Sequence, residues 1–298
     1  MSLEAIIQKY EEILSEYYKE SQIIIDRYIK EKRRPYTKLL KGIYEFYIFC
    51  SYLLDEKIIK PSAENDIILG LYSKSCLSLY GIYSCLKDGL ASEAASLLRN
   101  LFETYLNVKL ILEFDSDYRI RLFNDFKYVQ RYLSIKQNQD LLSKGLITEE
   151  RFEKTYPKQL IDETYNKYDE IKDNYHPKIP YSWAWAIFKD KINGKNPSVR
   201  TIAIHLGEEF DYVKLYSTMS IPVHSSPLIE NIIGDGKVKT LAPLFNEHIV
   251  GLSFLSLDIV GKVISELLNK YSDTQTTEEI NTYMNVYFVS LYENWKNI

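Results

Sequence analysis

Residues that interrupt helices are scarce in this chain. It contains 11 glycines and 9 prolines in 298 residues, which is about 7% where roughly 12% is usual. An all-β protein needs a turn every 8–12 residues or so, and this chain has too few turn-forming residues to supply them. Apolar residues instead recur at intervals of three and four, as in residues 3–32, which is typical of an amphipathic helix. The chain is therefore predicted to be all-α.

The breaks between the helical stretches predict how the helices are organised. Four of them are predicted to form an antiparallel bundle: 63–87, 92–113, 117–143 and 240–270. Short connections favour antiparallel neighbours in such a bundle. Residues 1–60 are predicted to be an N-terminal helical extension, residues 61–270 the bundle core, and residues 271–298 a C-terminal helix.

Local signals predict several helix ends. Asp115, Ser116 and Asp117 are predicted to form a break and the N-cap of the helix 117–143, because short polar side chains there accept hydrogen bonds from the first turn. Thr148 and Ser198 are predicted to open further helices for the same reason. The last helix is predicted to span 278–296, after a polar stretch.

Composition and charge exclude several classes of protein. Apolar residues make up 46% of the chain and charged residues 26%, which excludes a disordered chain. The net charge is −4 and the pI is about 5.7. Strong nonspecific attraction to nucleic acid is therefore not expected, although a local basic patch stays compatible with these values.

The cysteines and the apolar segments indicate the compartment. Cys50, Cys76 and Cys85 are odd in number and lack C-x-x-C spacing, so we expect neither a disulfide framework nor a zinc site, and a reducing cytoplasm is the natural location. The N-terminus does not resemble a signal peptide. The most apolar segment, 249–257, is shorter than a membrane span requires. No metal or cofactor is predicted, because the motifs of nucleotide, zinc and di-iron sites are missing from the sequence.

Tyrosine is abundant, with 26 residues. A surface that stacks with nucleic-acid bases is one interpretation. The favoured interpretation is packing, because most of these tyrosines fall at helical spacing, where the ring is buried and the hydroxyl lies at the rim.

A first candidate site lies in the segment LLRNLFE. Arg99 and Glu103 are four residues apart and so share one face of their helix. Polar residues extend that face, and most of the leucines fall opposite. The alternative is a solvated face with one exposed ion pair, worth less than about 1 kcal/mol.

A second candidate lies in YSTMSIPVHSSP, residues 216–227. His224 follows Pro222, which ends a helix, so its imidazole is expected in a polar segment where a titrating group is held and still accessible. Tyr216 and Ser220 precede His224 by eight and four residues and are candidates to position it. The alternative is a histidine that caps or packs against a helix.

Two weaker patterns also have structural explanations. Arg200 and His205 have the Arg-x(4–6)-His spacing of the HEPN ribonuclease superfamily, but four histidines and nine arginines make such a match common by chance. A basic cluster follows the first helix and could contact phosphates. Basic residues are also frequent at helix C-termini, which is the more common explanation. The cluster consists of Lys30, Lys32, Arg33, Arg34 and Lys38.

Together these segments resemble an uncharacterised bacterial all-helical family, domain of unknown function 5677. The resemblance is carried by ASEAASLLRNLFETYLNVKLIL, by RLFNDFKYVQRY, and by the stretch from Trp185 through SVRTIAIHLG to YSTMSIPVHSSP. In that family an Arg-x-x-x-Glu helix and a Ser-x-x-x-His segment recur together. The resemblance implies that Arg99, Glu103, Ser220 and His224 form one constellation. It implies no reaction, and the likeness to HEPN proteins is an analogy of fold alone.

Two functional hypotheses follow, and the sequence leaves open whether the chain is an enzyme. The first is a metal-independent ribonuclease of the toxin or phage-defence type, with His224 as acid/base, Arg99 as the phosphate-stabilising cation and Glu103 as the orienting carboxylate. The second is a non-catalytic ligand-sensing or protein-interaction module, in which an Arg–Glu–His network fixes helix register. We also expect a homodimer through the first or last helix, with RNA as the candidate ligand and no membrane contact.

Overall fold

The computed structural model describes residues 3–55, 66–178, 180–217 and 248–296. Within these ranges 85% of the residues are helical and no strand is present, which confirms the all-α prediction. A 3-10 turn at Arg34–Tyr36 and a π turn at Tyr212–Ser217 adjoin helices. The helices are α1 Leu3–Arg33, α2 Thr37–Asp55, α3 Asp66–Lys87, α4 Ala91–Glu113, α5 Ser116–Ser143, α6 Glu149–Thr155, α7 Lys158–Ile171, α8 Trp185–Phe188, α9 Val199–His205, α10 Glu209–Asp211, α11 His248–Tyr271 and α12 Thr274–Lys296.

Side-chain caps account for the ends of three helices. The Thr148 hydroxyl accepts a hydrogen bond from the Arg151 amide at the start of α6. Ser198 makes a reciprocal capping box with Thr201 at the start of α9, so both predicted openings are confirmed. Asp273 caps α12, because its carboxylate accepts the Thr276 amide at 2.8 Å. The last helix consequently begins at Thr274, earlier than the predicted residue 278.

Two other boundaries differ from the sequence-based predictions. Asp115 precedes α5 as predicted, but its φ is +43° and its side chain makes no capping hydrogen bond. The carboxylate is therefore not an N-cap, and Asp115 instead provides the left-handed turn between α4 and α5, a conformation that aspartate tolerates. Pro157 separates α6 from α7, because proline lacks an amide hydrogen and cannot continue the preceding helix.

The described residues pack into two compact units. The first lies within residues 1–105 and 213–298, and the second spans residues 106–212. The boundaries expected from the sequence, with extensions at 1–60 and 271–298, stay a prediction.

Helices α2, α3, α11 and α12 pack against one another in the first unit. The Tyr44 and Tyr83 rings lie 5.3 Å apart, and the Tyr72 hydroxyl donates to the Cys50 carbonyl at 2.8 Å. Residue numbers therefore fall along α3 as they rise along α2, so the two helices are antiparallel.

The last helix continues the same arrangement. Tyr287 of α12 donates to the Gly42 carbonyl of α2 at 2.8 Å, and Phe49 and Tyr283 lie further along with ring centroids 5.0 Å apart. A Cβ at Gly42 would lie 2.5 Å from Leu291 Cδ1, so glycine allows this close approach. Because only two residues join α11 to α12 and the two helices pack together, they also form an antiparallel pair.

The core of this unit shows why α2 and α12 belong to the bundle. Phe46 is 1% exposed, and its ring lies 5.0 Å from Phe288 and 6.1 Å from Tyr287. Of the four helices predicted for the bundle, α3, α11 and the part of α4 up to Tyr105 belong to this unit. Buried aromatic contacts bring in α2 and α12, which the sequence analysis had placed in extensions.

Helix α11 is apolar along most of its length. It is the one described helix long and apolar enough to cross a membrane, and 56% of that apolar window is buried inside the protein. Its buried residues face the bundle, as in the core helix of a globular protein.

Helices α5 and α7 pack together in the second unit. Their small core contains Val129, Ile171 and Tyr175, and the Tyr175 hydroxyl donates to the Leu122 carbonyl at 2.8 Å. Burial raises the pKa of Tyr175. Residues 117–143 were predicted to belong to the bundle, whereas the most extensive described contacts of α5 are with α7.

Candidate functional site

Helix α4 carries the predicted pair Arg99 and Glu103. Arg99 Nε lies 3.4 Å from Glu103 Oε1, and 21% and 36% of the two side chains are exposed. Leu98, Leu101 and Phe102 on the same helix are fully buried. The pair thus lies at the border of a buried face, as the four-residue spacing requires, and both heads are partly accessible.

The rest of the predicted constellation cannot be placed beside this pair. Ser220 and His224 lie outside the described residues, and the side chain of Tyr216 lies outside the described part as well. The grouping of Arg99, Glu103 and His224 therefore stays a prediction.

A second polar cluster, which the sequence analysis did not assemble, joins α4, α5 and α9. Glu113 Oε2 lies 3.0 Å from Arg119 Nη1 and 3.0 Å from His205 Nε2. Arg119 Nη1 also donates to the Leu110 carbonyl. Since a carboxylate only accepts, both nitrogens donate to Glu113. We call Glu113, Arg119 and His205 the Glu113 network.

The Glu113 network resolves an electrostatic conflict at the end of α4. Carbonyl groups in the last turn of a helix lack intrahelical donors and favour positive charge. Glu113 is the last residue of α4, where a carboxylate alone would be unfavourable. Arg119, whose side chain is 9% exposed, supplies both a donor for the Leu110 carbonyl and a positive charge beside Glu113.

The pKa of Glu113 reflects this balance. Partial burial raises the pKa, but the hydrogen bonds and positive charges of Arg119 and His205 outweigh it, so the pKa of Glu113 is lowered overall. The carboxylate is therefore held in its ionised form, which suits an ion-pairing role better than that of a general acid.

His205 is fixed on both sides of its ring. Its Nε2 donates to Glu113, and its Nδ1 lies 3.5 Å from Lys191 Nζ. The Phe188 ring makes an edge contact with the imidazole at 5.1 Å. Both ring nitrogens therefore have polar neighbours within the protein.

A second ion pair, one turn earlier on α4, holds the segment that contains His205. Lys109, four residues before Glu113, forms an ion pair with Glu208, whose side chain is 10% exposed. Glu208 follows His205 by three residues. Two neighbouring positions on α4 thus hold the 205–208 segment by charge.

The Arg200–His205 pattern divides between different partners. Arg200 Nη2 forms an ion pair with Glu209 at 3.0 Å, whereas His205 contacts Glu113. Both members therefore have carboxylate partners of their own.

A signal for the Glu113 network was present in the sequence: Glu113 and Arg119 flank a helix break, and one of only four histidines lies in a short helix. Nothing local showed that they meet.

The basic cluster at the end of α1 lies where a helix C-terminus explains it. Lys30, Lys32 and Arg33 occupy the last turn of α1, and Arg34 begins the 3-10 turn.

Among the described residues, no three His, Cys, Asp or Glu side chains are arranged as ligands of one metal ion.

The outer face of α12 exposes apolar side chains. Val286 and Val289 are 64% and 63% exposed, and Tyr283 is 54% exposed. Residues 280–292 include no charged residue. A surface helix normally carries charged and polar residues on its outer side. The outer face of α12 therefore combines exposed apolar side chains with uncharged polar ones, Thr282, Asn285 and Ser290.

Comparison with known proteins places the chain in a family. The model of a family of unknown function, DUF5677, matches residues 65–237, and this range contains Arg99, Glu103, His224 and the Glu113 network. No curated protein and no solved structure matches the chain significantly. Because the matched range covers more than half of the 298 residues, the chain belongs to the DUF5677 family.

Proposed function

We propose that this chain is a non-catalytic helical interaction module that works as a homodimer in the cytoplasm, without membrane contact. The observation that carries the proposal is the outer face of α12, where Tyr283, Val286 and Val289 are each more than half exposed. Exposed apolar patches of this kind mark interaction surfaces. The three cysteines are unpaired, which suits a reducing compartment.

A second copy of the chain is the partner that this face fits best. In a two-fold dimer the same patch packs on itself, so a charge close to the symmetry axis would face its own copy. The uncharged stretch 280–292 avoids that repulsion along almost four turns of helix. A charged partner would find no complementary group on the same surface.

The Glu113 network supports a structural role for the polar residues. Its donors and acceptors satisfy one another, and Arg119 is nearly buried. The non-catalytic hypothesis assigned such a role to Arg99, Glu103 and His224. Glu113, Arg119 and His205 have the same residue types, and satisfied networks of this kind fix one packing arrangement.

Introducing charge on the outer face of α12 is expected to separate the dimer. For the wild type we expect a particle of twice 35.1 kDa at micromolar concentration, measured by light scattering after gel filtration. In Val286→Glu/Val289→Glu, four carboxylates would meet in the symmetric interface, so a single-chain mass is expected. The circular dichroism spectrum should not change, because both positions are exposed.

Leu146→Glu provides the matched control. Leu146 is 68% exposed and belongs to the second unit, so this variant should remain dimeric. A wild-type particle of single-chain mass, or a doubly substituted variant that stays dimeric, would contradict the proposed dimer.

A metal-independent ribonuclease of the toxin or phage-defence type is the second candidate function. Arg99 and Glu103 support it, because they form a partly exposed pair within the family-matched range. In this proposal His224 is the acid/base, Arg99 stabilises the phosphorane, Glu103 orients the site, and Tyr216 and Ser220 support His224. The chemistry needs a base for the ribose 2′-hydroxyl and a cation for the developing charge.

Two histidine variants test the ribonuclease proposal. If the proposal is correct, the wild type cleaves single-stranded RNA in EDTA, and His224→Ala lowers the rate by about 10²–10⁴-fold, the usual contribution of a general acid/base. His205→Ala should leave the cleavage rate and its pH dependence unchanged. The proposed reaction does not use His205, whose contact is with Glu113. Gel analysis of a labelled RNA gives the rates. No cleavage by the wild type, or equal loss in both variants, would reject this assignment.

A further inference from the structure

Four tyrosines on α5 and α7 form a connected group in the second unit. The Tyr132 and Tyr168 rings are stacked, with centroids 3.8 Å apart and an angle of 3° between planes. The Tyr165 ring meets Tyr132 edge-on at 5.2 Å. Tyr128 lies one turn before Tyr132 on α5 and packs against the small core of this unit. All four rings are partly exposed.

Three cations lie over these rings. Lys136 Nζ is 5.3 Å from the centroid of Tyr165 and 5.7 Å from that of Tyr132. Lys127 Nζ and the Arg131 guanidinium lie 5.2 and 5.6 Å from the Tyr128 ring. Cations at such distances are attracted to the ring faces. At about 100° per residue, Lys127 and Lys136 lie on opposite sides of α5 and about 14 Å apart along its axis, so the cations flank the tyrosines on both sides.

The three cations have no carboxylate partner among the ion pairs of the described residues. Lys127 donates to the Asn124 side chain at 3.2 Å. On α7, by contrast, Lys167 pairs with Glu170 and Lys172 with Asp169, and the segment 158–173 carries two more acidic than basic residues. The hydrogen bond with the Tyr165 hydroxyl, together with the nearby Tyr132, raises the pKa of Lys136. Residues 126–139 of α5 contain the three cations and no acidic residue, so positive charge concentrates on this part of the helix although the whole chain is acidic.

Hydrogen-bonding groups also lie on α5 and beside it. The Tyr165 hydroxyl donates to Gln139 Oε1 at 3.2 Å, which leaves the amide group of Gln139 as a donor. The Tyr156 hydroxyl lies 2.6 Å from Ser134 Oγ and 3.2 Å from Asn138 Nδ2. Such groups can pair with a ribose 2′-hydroxyl, which DNA lacks.

We propose that this surface binds single-stranded RNA. We call it the tyrosine–lysine face and define it by Tyr128, Tyr132, Tyr165, Lys127, Arg131 and Lys136. Proteins that bind single strands combine aromatic platforms for bases with cations that follow the backbone. On binding, the cations move from ring faces to phosphates, and bases stack on the faces they leave. The rings hold the cations in place beforehand, which lowers the ordering cost of binding.

This proposal is independent of both functions proposed above. A homodimer can bind RNA without cutting it, and the ribonuclease proposal places its chemistry at Arg99, Glu103 and His224. Failure to cleave RNA would leave the tyrosine–lysine face intact as a binding surface, and failure to dimerise would not change its charge.

Fluorescence anisotropy with a labelled oligouridine of about twelve nucleotides tests the face directly. We expect the wild type to bind, with an affinity that falls as NaCl rises from about 50 to 200 mM. Lys127→Ala/Arg131→Ala/Lys136→Ala should weaken binding by at least about tenfold and reduce the salt slope by about 2, since three phosphate contacts each contribute about 0.7.

A second triple variant, which also removes three positive charges, is the control. Lys41, Lys74 and Lys270 are exposed and lie in the first unit, so replacing all three by alanine should leave the dissociation constant nearly unchanged. Equal losses in both triple variants would show attraction by net charge alone and overturn the proposal, as would a wild type that fails to bind.

Competition identifies the ligand class. Unlabelled oligouridine should displace the probe, whereas the same amount of oligothymidine, duplex RNA or polyglutamate should displace it poorly. Displacement by oligothymidine at equal concentration would overturn the choice of RNA over DNA. Displacement by polyglutamate at equal charge would instead assign the face to an acidic protein. The exposed single variant Lys136→Ala keeps the test valid if the triple variant misfolds, with a smaller loss in the same direction.

Discussion

Replacing Phe46 by alanine is expected to lower the free energy of unfolding by about 3–5 kcal/mol, the usual cost of removing a buried phenylalanine ring. Phe46 is 1% exposed and joins α2 to α12 through Tyr287 and Phe288. These residues are far apart in sequence, so the ring is a direct link between the ends of the chain. Urea unfolding followed by circular dichroism measures the change, and the melting temperature should fall by on the order of 10 °C.

Tyr52→Ala provides the comparison on the same helix. Tyr52 is 49% exposed, so its loss should cost less than about 1 kcal/mol, as for ordinary surface positions. If α2 were a loosely attached extension, Phe46→Ala and Tyr52→Ala would have similar small effects. That outcome would contradict the packing of α2 into the bundle.

Replacing Arg119 by methionine is expected to cost roughly 2–3 kcal/mol, somewhat less than breaking a fully buried ion pair because Glu113 is partly exposed. Methionine keeps the length and apolar stem of the side chain but leaves the Leu110 carbonyl and the Glu113 carboxylate without this donor. Lys144→Met removes a charge from an exposed pair with Asp140 and should have little effect. The same urea experiment measures both variants.

The pH dependence separates the charge contribution from packing. The pKa of Glu113 is lowered in the folded chain, so its stabilising contribution is present above its ordinary value of 4.5 and is lost as the pH falls through the folded pKa. The difference in stability between the wild type and Arg119→Met should therefore be largest near neutral pH and shrink below about pH 4.5. A difference independent of pH would mean that Arg119 stabilises the chain only through the Leu110 carbonyl and its stem.

The exposed face of α12 and the tyrosine–lysine face lie in different units and require different partners. The first is uncharged over residues 280–292 and fits a symmetric apolar contact. The second concentrates cations over aromatic rings and fits an anion with flat bases. The variants that test one face leave the other unchanged, so dimerisation and RNA binding can be measured separately in the same protein.

Helix positions were predictable because they depend on local interactions. Apolar spacing located the long helices, and Thr148 and Ser198 marked helix starts that the structure confirms. The cap of α12 was misjudged, since a threonine-rich stretch with weak helix propensity is helical once Asp273 accepts the Thr276 amide. At Asp115 a capping side chain was expected, but the residue adopts a left-handed turn before α5 and its side chain makes no capping hydrogen bond.

The sequence by itself determined that the chain is all-α and that Arg99 and Glu103 share a partly buried helix face, because periods of three to four residues and i to i+4 spacing are properties of one helix. The tertiary structure alone decided that α2 and α12 complete the bundle with α3 and α11. It also decided that Glu113, Arg119 and His205 meet. Both depend on contacts between residues far apart in sequence, for which local propensity carries no signal. Two effects determine which residues become neighbours: the burial of aromatic surface and the pairing of carbonyl groups at helix ends. Both act only once the helices pack together.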